Sequence, residues 1–155
     1  MKQSGRFRML ATLAVALTAG AALAAPVVLR ASHQFPGGKG DVRDDMVQMI
    51  ARDAKAANVG LEVQVYPGAS LFKPDQQWNA IASGQLDITL FPLDYASGKV
   101  PAFSATLMPG LIRNQDRAKR INDSQGWNDG RAVIEKNGAI VRSDAWFAGG
   151  MAGKD

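Results

Sequence analysis

The side chains best suited to chemistry stand just behind apolar runs. His33, Gln34 and Phe35 follow Val27–Ser32, and Phe91 and Tyr95 follow the run that opens at Leu86. Each group combines an aromatic wall with one or two hydrogen-bonding tips, which suits a small-molecule cleft better than a reacting centre. Between them, Gly37, Gly38, Lys39 and Gly40 precede a helical pattern, so backbone N–H groups and Lys39 could cradle an anion there. The spacing matches neither a phosphate loop nor a dinucleotide fingerprint. Tight-turn duty for the glycines is the alternative.

Enzymatic readings fail on the inventory. The chain has no cysteine and one histidine, His33, so thiol nucleophiles, disulfides and cysteine-ligated metal are excluded and a histidine metal site lacks companions. No Gly-x-Ser-x-Gly elbow is present. Tyr95 and Lys99 have the Tyr-x-x-x-Lys spacing of short-chain dehydrogenases, but Gly98 and Pro101 oppose the helix that would align them. No catalytic residue, metal or cofactor is expected.

These groups need a scaffold, and the order of elements supplies one. Val27–His33 reads as a buried strand and Asp41 as the N-cap of a helix with Asp44 and Asp45 in its first turn. Val42, Met46, Met49, Ile50 and Ala57 form the apparent core face of that helix, and Asn58-Val59-Gly60 ends it. Leu61–Val65 alternates as a second strand, Pro74–Gly84 carries a helix whose stripe includes Trp78, and Leu86–Phe91 is a third strand. Strand–helix–strand–helix–strand with short links predicts an α/β fold with a mainly parallel βαβαβ sheet flanked by helices. Pro92–Gly110 is irregular, helices are expected over Gln115–Asn122 and Gly126–Lys136, and Ala139–Phe147 reads as a fourth strand. In such sheets ligands sit beyond the carboxyl ends of the strands, where Gln34, Phe35, Phe91 and Tyr95 fall.

The first residues carry a different message. Lys2, Arg6 and Arg8 precede an apolar run from Met9 to about Ala22, and Ala22-Leu23-Ala24 offers a signal-peptidase site. Residues 1–24 are expected to be a cleaved signal peptide and residues 25–155 the exported domain, soluble and without a stable membrane anchor. The run is short of the roughly 20 residues that a confident span needs. Removing the three basic leader residues leaves fifteen Lys and Arg against fourteen Asp and Glu. The balance gives no basic face for nucleic acid, since Arg113, Arg117, Lys119 and Arg120 are interrupted by Asp116 and Asp123.

Three stretches carry a family resemblance: LRASHQFPGGKGD, VQVYPGASLFKPDQQWNAIASGQLDITLFPLDYASG and SDAWFAGG. Together they resemble the solute-binding proteins of TRAP transporters, in their dicarboxylate-binding, DctP-like branch. The resemblance implies a periplasmic protein that clamps a small organic acid between two lobes and passes it to membrane permease subunits. From their places at the carboxyl edge and in the glycine loop, Gln34, Phe35, Lys39, Phe91 and Tyr95 are the expected ligand contacts, with Trp146 at the hinge. Family members are longer, and their second lobe supplies an arginine for the ligand carboxylate. The expectation is therefore one lobe of such a protein, a fragment with impaired binding. A sensor domain feeding a histidine kinase and a small secreted interaction domain are the alternatives.

Overall fold

A computed structural model describes residues 25–38 and 40–147. The leader assigned to residues 1–24 and the cradle residue Lys39 lie outside the described residues. Strand β1 (Val27–His33) is central, with β2 (Leu61–Tyr66) on one side and β3 (Ile88–Leu90) on the other, both parallel to it. The register runs from Val27 opposite Leu61 to Ser32 opposite Tyr66, and from Ala31 opposite Ile88 to His33 opposite Leu90. All three strands thus deliver their following loops to one edge, as the sequence predicts.

Helix α1 (Val42–Ala57) joins β1 to β2, and the short α2 (Gln77–Ala82) leads toward β3. They take opposite faces of the sheet. His33 reaches Asp44 on α1, whereas Thr89, beside Ser32, donates to Gln77 of α2 at 2.6 Å. Neighbouring residues of a strand point to opposite faces, so Ser32 and His33 separate the two layers. Beyond β3 come 3₁₀ turns at Leu93–Ala96 and Pro101–Leu107, then α3 (Gln115–Asn122) and α4 (Gln125–Lys136). Trp78, Ala96, Phe103 and Ile134 form the main core cluster, with Ile81, Phe91, Leu93, Ala139 and Val141 packed on it.

Both ends of α1 follow sequence rules. The Asp41 carboxylate accepts from the Arg43 backbone N–H, and Asn58 takes the left-handed conformation with φ 49°. Arg43 also grips Asp41 through Nε at 2.8 Å and Nη2 at 2.6 Å, which lowers the Asp41 pKa from 3.8 to about 2. A carboxylate with a depressed folded-state pKa stabilises the fold above its ordinary range and loses that contribution as pH falls toward 2. Asp41→Asn is therefore expected to lower the thermal midpoint at pH 5, with the gap to wild type closing between pH 4 and 2. A gap independent of pH in paired melts would refute the assignment.

Two expectations need correction. The buried side of α1 carries Asp44 and Val47, while Val42, Met49 and Ile50 are exposed. The bond from Asp44 to β1 sets the helix rotation, overriding the more apolar stripe. Ala139–Phe147 forms no strand among the described residues. Ala139 and Val141 turn inward onto the core and Ile140 outward, so the alternation is real, but no neighbouring strand pairs with its backbone.

Candidate functional site

The end of β1, the glycine loop and the turn after β3 meet at the carboxyl edge of the sheet. Gln34 Nε2 donates to the Tyr95 hydroxyl at 3.3 Å, joining the loop after β1 to the turn after β3. Phe91 meets the Tyr95 ring edge-on at 6.1 Å and leans on Trp78 at 6.2 Å. Phe35 stacks on His33 at 5.9 Å, and the Arg43 guanidinium lies 4.0 Å above the Phe35 ring. Tyr95 is half exposed, and Gln34, Phe35 and Phe91 are partly so. Four predicted ligand residues thus line one accessible edge, with a neutral amide and a phenol as the hydrogen-bonding tips and aromatic rings as the wall.

A second loop locks this edge in place. Gly68 N–H donates to the Phe35 carbonyl at 2.8 Å and Ala69 N–H to the His33 carbonyl at 2.9 Å. Gly37 lies so close to Pro67 that a Cβ would come within 2.5 Å of the proline ring. Close packing against the Pro67 ring, not anion recognition, accounts for the glycine at that position. The cradle reading weakens further because the chain fills it itself: Asp41 takes the Arg43 N–H and Asp44 takes the Gly38 N–H at 3.1 Å.

His33 is completely buried, and its Nε2 lies 3.1 Å from Asp44 Oδ1. The sequence places His33 at the end of a buried strand and gives Asp44 only a helix-dipole role. The pair spans eleven residues, and the signal was an acidic residue in the first turn of a helix preceded by a strand-ending histidine. Among the described residues, Arg43 holds Asp41, Lys99 contacts Asn79, and Arg30, beside the amino end of β3, meets Asp87 at 3.4 Å. Lys99 is thus spent on α2 rather than paired with Tyr95.

Trp146 belongs to a different neighbourhood. Its indole N–H donates to Asn122 at 2.6 Å and its ring meets Trp127 at 5.4 Å. Together with Phe103, Met108, Leu111 and Ile134 these two indoles line an apolar hollow of about 500 Å³. Trp127 also donates to Asp144 at 2.9 Å. No group of three residues able to hold a metal occurs among the described residues.

Comparison with known proteins fixes the kinship. The family model for bacterial extracellular solute-binding proteins, family 7, matches residues 40–151. The chain belongs to that family. This family 7 chain is 36% identical over 137 residues to a solute-binding protein of Albidiferax ferrireducens, covering 86% of itself and 40% of the relative. It is also similar to a TRAP periplasmic solute-binding protein from Rhodoferax ferrireducens solved with bound malonate. The match has 35% identity and a TM-score of 0.71 over 74% of this chain and 38% of that one. A succinate-bound TRAP protein from Sulfurospirillum deleyianum shares the fold at 17% identity, with a TM-score of 0.66 over 74% of this chain and 36% of that one. The family 7 chain thus spans about two fifths of the length of these relatives. The match places it on their first lobe.

Proposed function

We propose that this chain provides one jaw of a TRAP-type solute-binding protein, exported to the periplasm, which captures a small organic acid for uptake through membrane permease subunits. The observation that carries this reading is the Gln34–Tyr95 hydrogen bond, which joins two loops at the carboxyl edge of a parallel sheet. Ligands of open α/β sheets bind at such edges. Family membership and the malonate-bound relative support a carboxylate as the occupant. Binding, not catalysis, is the activity proposed. The edge offers hydrogen bonds and aromatic contact, and the paired cations leave the acid's charge to be met by groups outside Gln34, Phe35, Phe91 and Tyr95.

A chimera tests the jaw directly. Residues 27–147 replace the matching segment of the Rhodoferax protein, and calorimetry follows malonate and succinate. The chimera is expected to bind a small dicarboxylate, and Gln34→Leu with Tyr95→Phe to weaken it about 5- to 100-fold, the worth of two neutral hydrogen bonds. A folded chimera that binds no organic acid, or one indifferent to the double substitution, overturns the proposal.

A further inference from the structure

Asp44 could have met the α1 dipole from the water, as Asp45 does, yet it is only 3% exposed. A carboxylate is costly to bury unless its oxygens are fully hydrogen-bonded. Asp44 meets that condition with donors from three separate segments: His33 Nε2 at the end of β1 (3.1 Å), Gly38 N–H in the glycine loop (3.1 Å) and Gln48 Nε2 one turn on (3.3 Å). A carboxylate only accepts, so the His33 hydrogen is assigned to Nε2. Nδ1 has no hydrogen-bond partner among the described residues. The bond through Nε2 is thus the ring's polar tie to its surroundings.

The consequence falls on Gln34. It stands between two fixed neighbours: His33, held through its ring by Asp44 and through its carbonyl by Ala69, and Phe35, held through its carbonyl by Gly68 and through its ring by His33 and Arg43. The far side of the loop is held by the Gly38–Asp44 bond and the Gly37–Pro67 contact. We propose that Asp44 and His33 are positioning residues: through them the loop over residues 34–38 is clamped between β1 and α1, so that Gln34 is presented toward Tyr95 and the ligand edge. The proposal deepens the carboxylate-jaw reading and rests on it only for its ligand readout. Prepositioned groups bind without first being ordered, so the clamp acts on affinity through residues that never touch the ligand.

The test uses two independent readouts, amide hydrogen exchange in the whole chain and calorimetric malonate titration of the chimera, with each variant placed in both. In Asp44→Ala, exchange at Gly38, Gly68 and Ala69 is expected to rise about tenfold or more relative to the β1–β2 ladder amides of Leu29 and Gln64, the signature of local opening. Malonate titration should weaken in parallel. His33→Gln keeps an N–H for Asp44 but loses the ring against Phe35, so it is expected to lie close to wild type, whereas His33→Phe keeps the ring without the donor and should lie close to Asp44→Ala. If Asp44→Ala fails to fold, the two His33 variants decide. Loop and ladder amides rising together, or His33→Phe matching wild type, overturns the clamp. If the chimera without these substitutions binds no malonate, the carboxylate reading falls while the exchange comparison still decides the clamp.

Discussion

Trp78→Ala is expected to remove about 3–5 kcal/mol of unfolding free energy, the cost of deleting a buried aromatic and leaving its cavity. The indole is 7% exposed and meets Phe103 edge-on at 5.0 Å and Phe91 at 6.2 Å. It is the bulkiest member of a cluster that joins α2, both 3₁₀ turns and α4, so no single element can close over the void. Domains of this kind hold about 5–15 kcal/mol in total, so the loss is a large share. Urea unfolding of wild type and variant measures it. The effect should also reach the ligand edge, because Phe91 rests on Trp78 on one side and on Tyr95 on the other. Trp127→Ala is the control: that ring is only partly buried, borders an open hollow and should cost distinctly less. A Trp78→Ala loss below about 1 kcal/mol would mean that the core closes without the indole.

Why Trp78 was legible in the sequence and Asp44 was not comes down to how far each signal reaches. Trp78 and Ile81 lie on one stripe of a short helix and both meet the core, as such a stripe does whatever its neighbours are. The caps at Asp41 and Asn58 are equally local, each decided within a few residues. The parallel sheet followed from link lengths, and with it the gathering of Gln34, Phe35, Phe91 and Tyr95 at one edge. The rotation of α1 depended instead on a bond between Asp44 and His33 that exists only after the glycine loop has folded back. Five apolar residues outvoted one aspartate in the pattern, and the aspartate prevailed because its burial comes with three donors. Residues 139–147 illustrate the same limit. Alternation reports which side chains point inward, whereas a strand also needs a backbone partner, which the pattern of one segment cannot supply.

The isolated chain is expected to bind malonate about 10²–10⁴-fold more weakly than the chimera that carries the remaining part of the Rhodoferax protein. The argument turns on charge. At the described edge an acid finds the Gln34 amide and the Tyr95 hydroxyl, neutral donors worth about 0.5–1.5 kcal/mol each, while Arg43 and Lys99 are engaged by Asp41 and Asn79. A bidentate arginine contact, of the kind that the family resemblance implies from a second lobe, contributes roughly 1.5–3 kcal/mol per bond, or about 3–6 kcal/mol for the pair. That difference converts to the stated range of affinity. Calorimetry on the chain and on the chimera under one buffer measures the ratio, and Lys39→Ala in the isolated chain identifies any charge supplied from the glycine loop. Equal affinities for chain and chimera would show that one jaw suffices. In that case, a loss of binding on Lys39→Ala would move the charge-bearing contact into the loop that Asp44 holds.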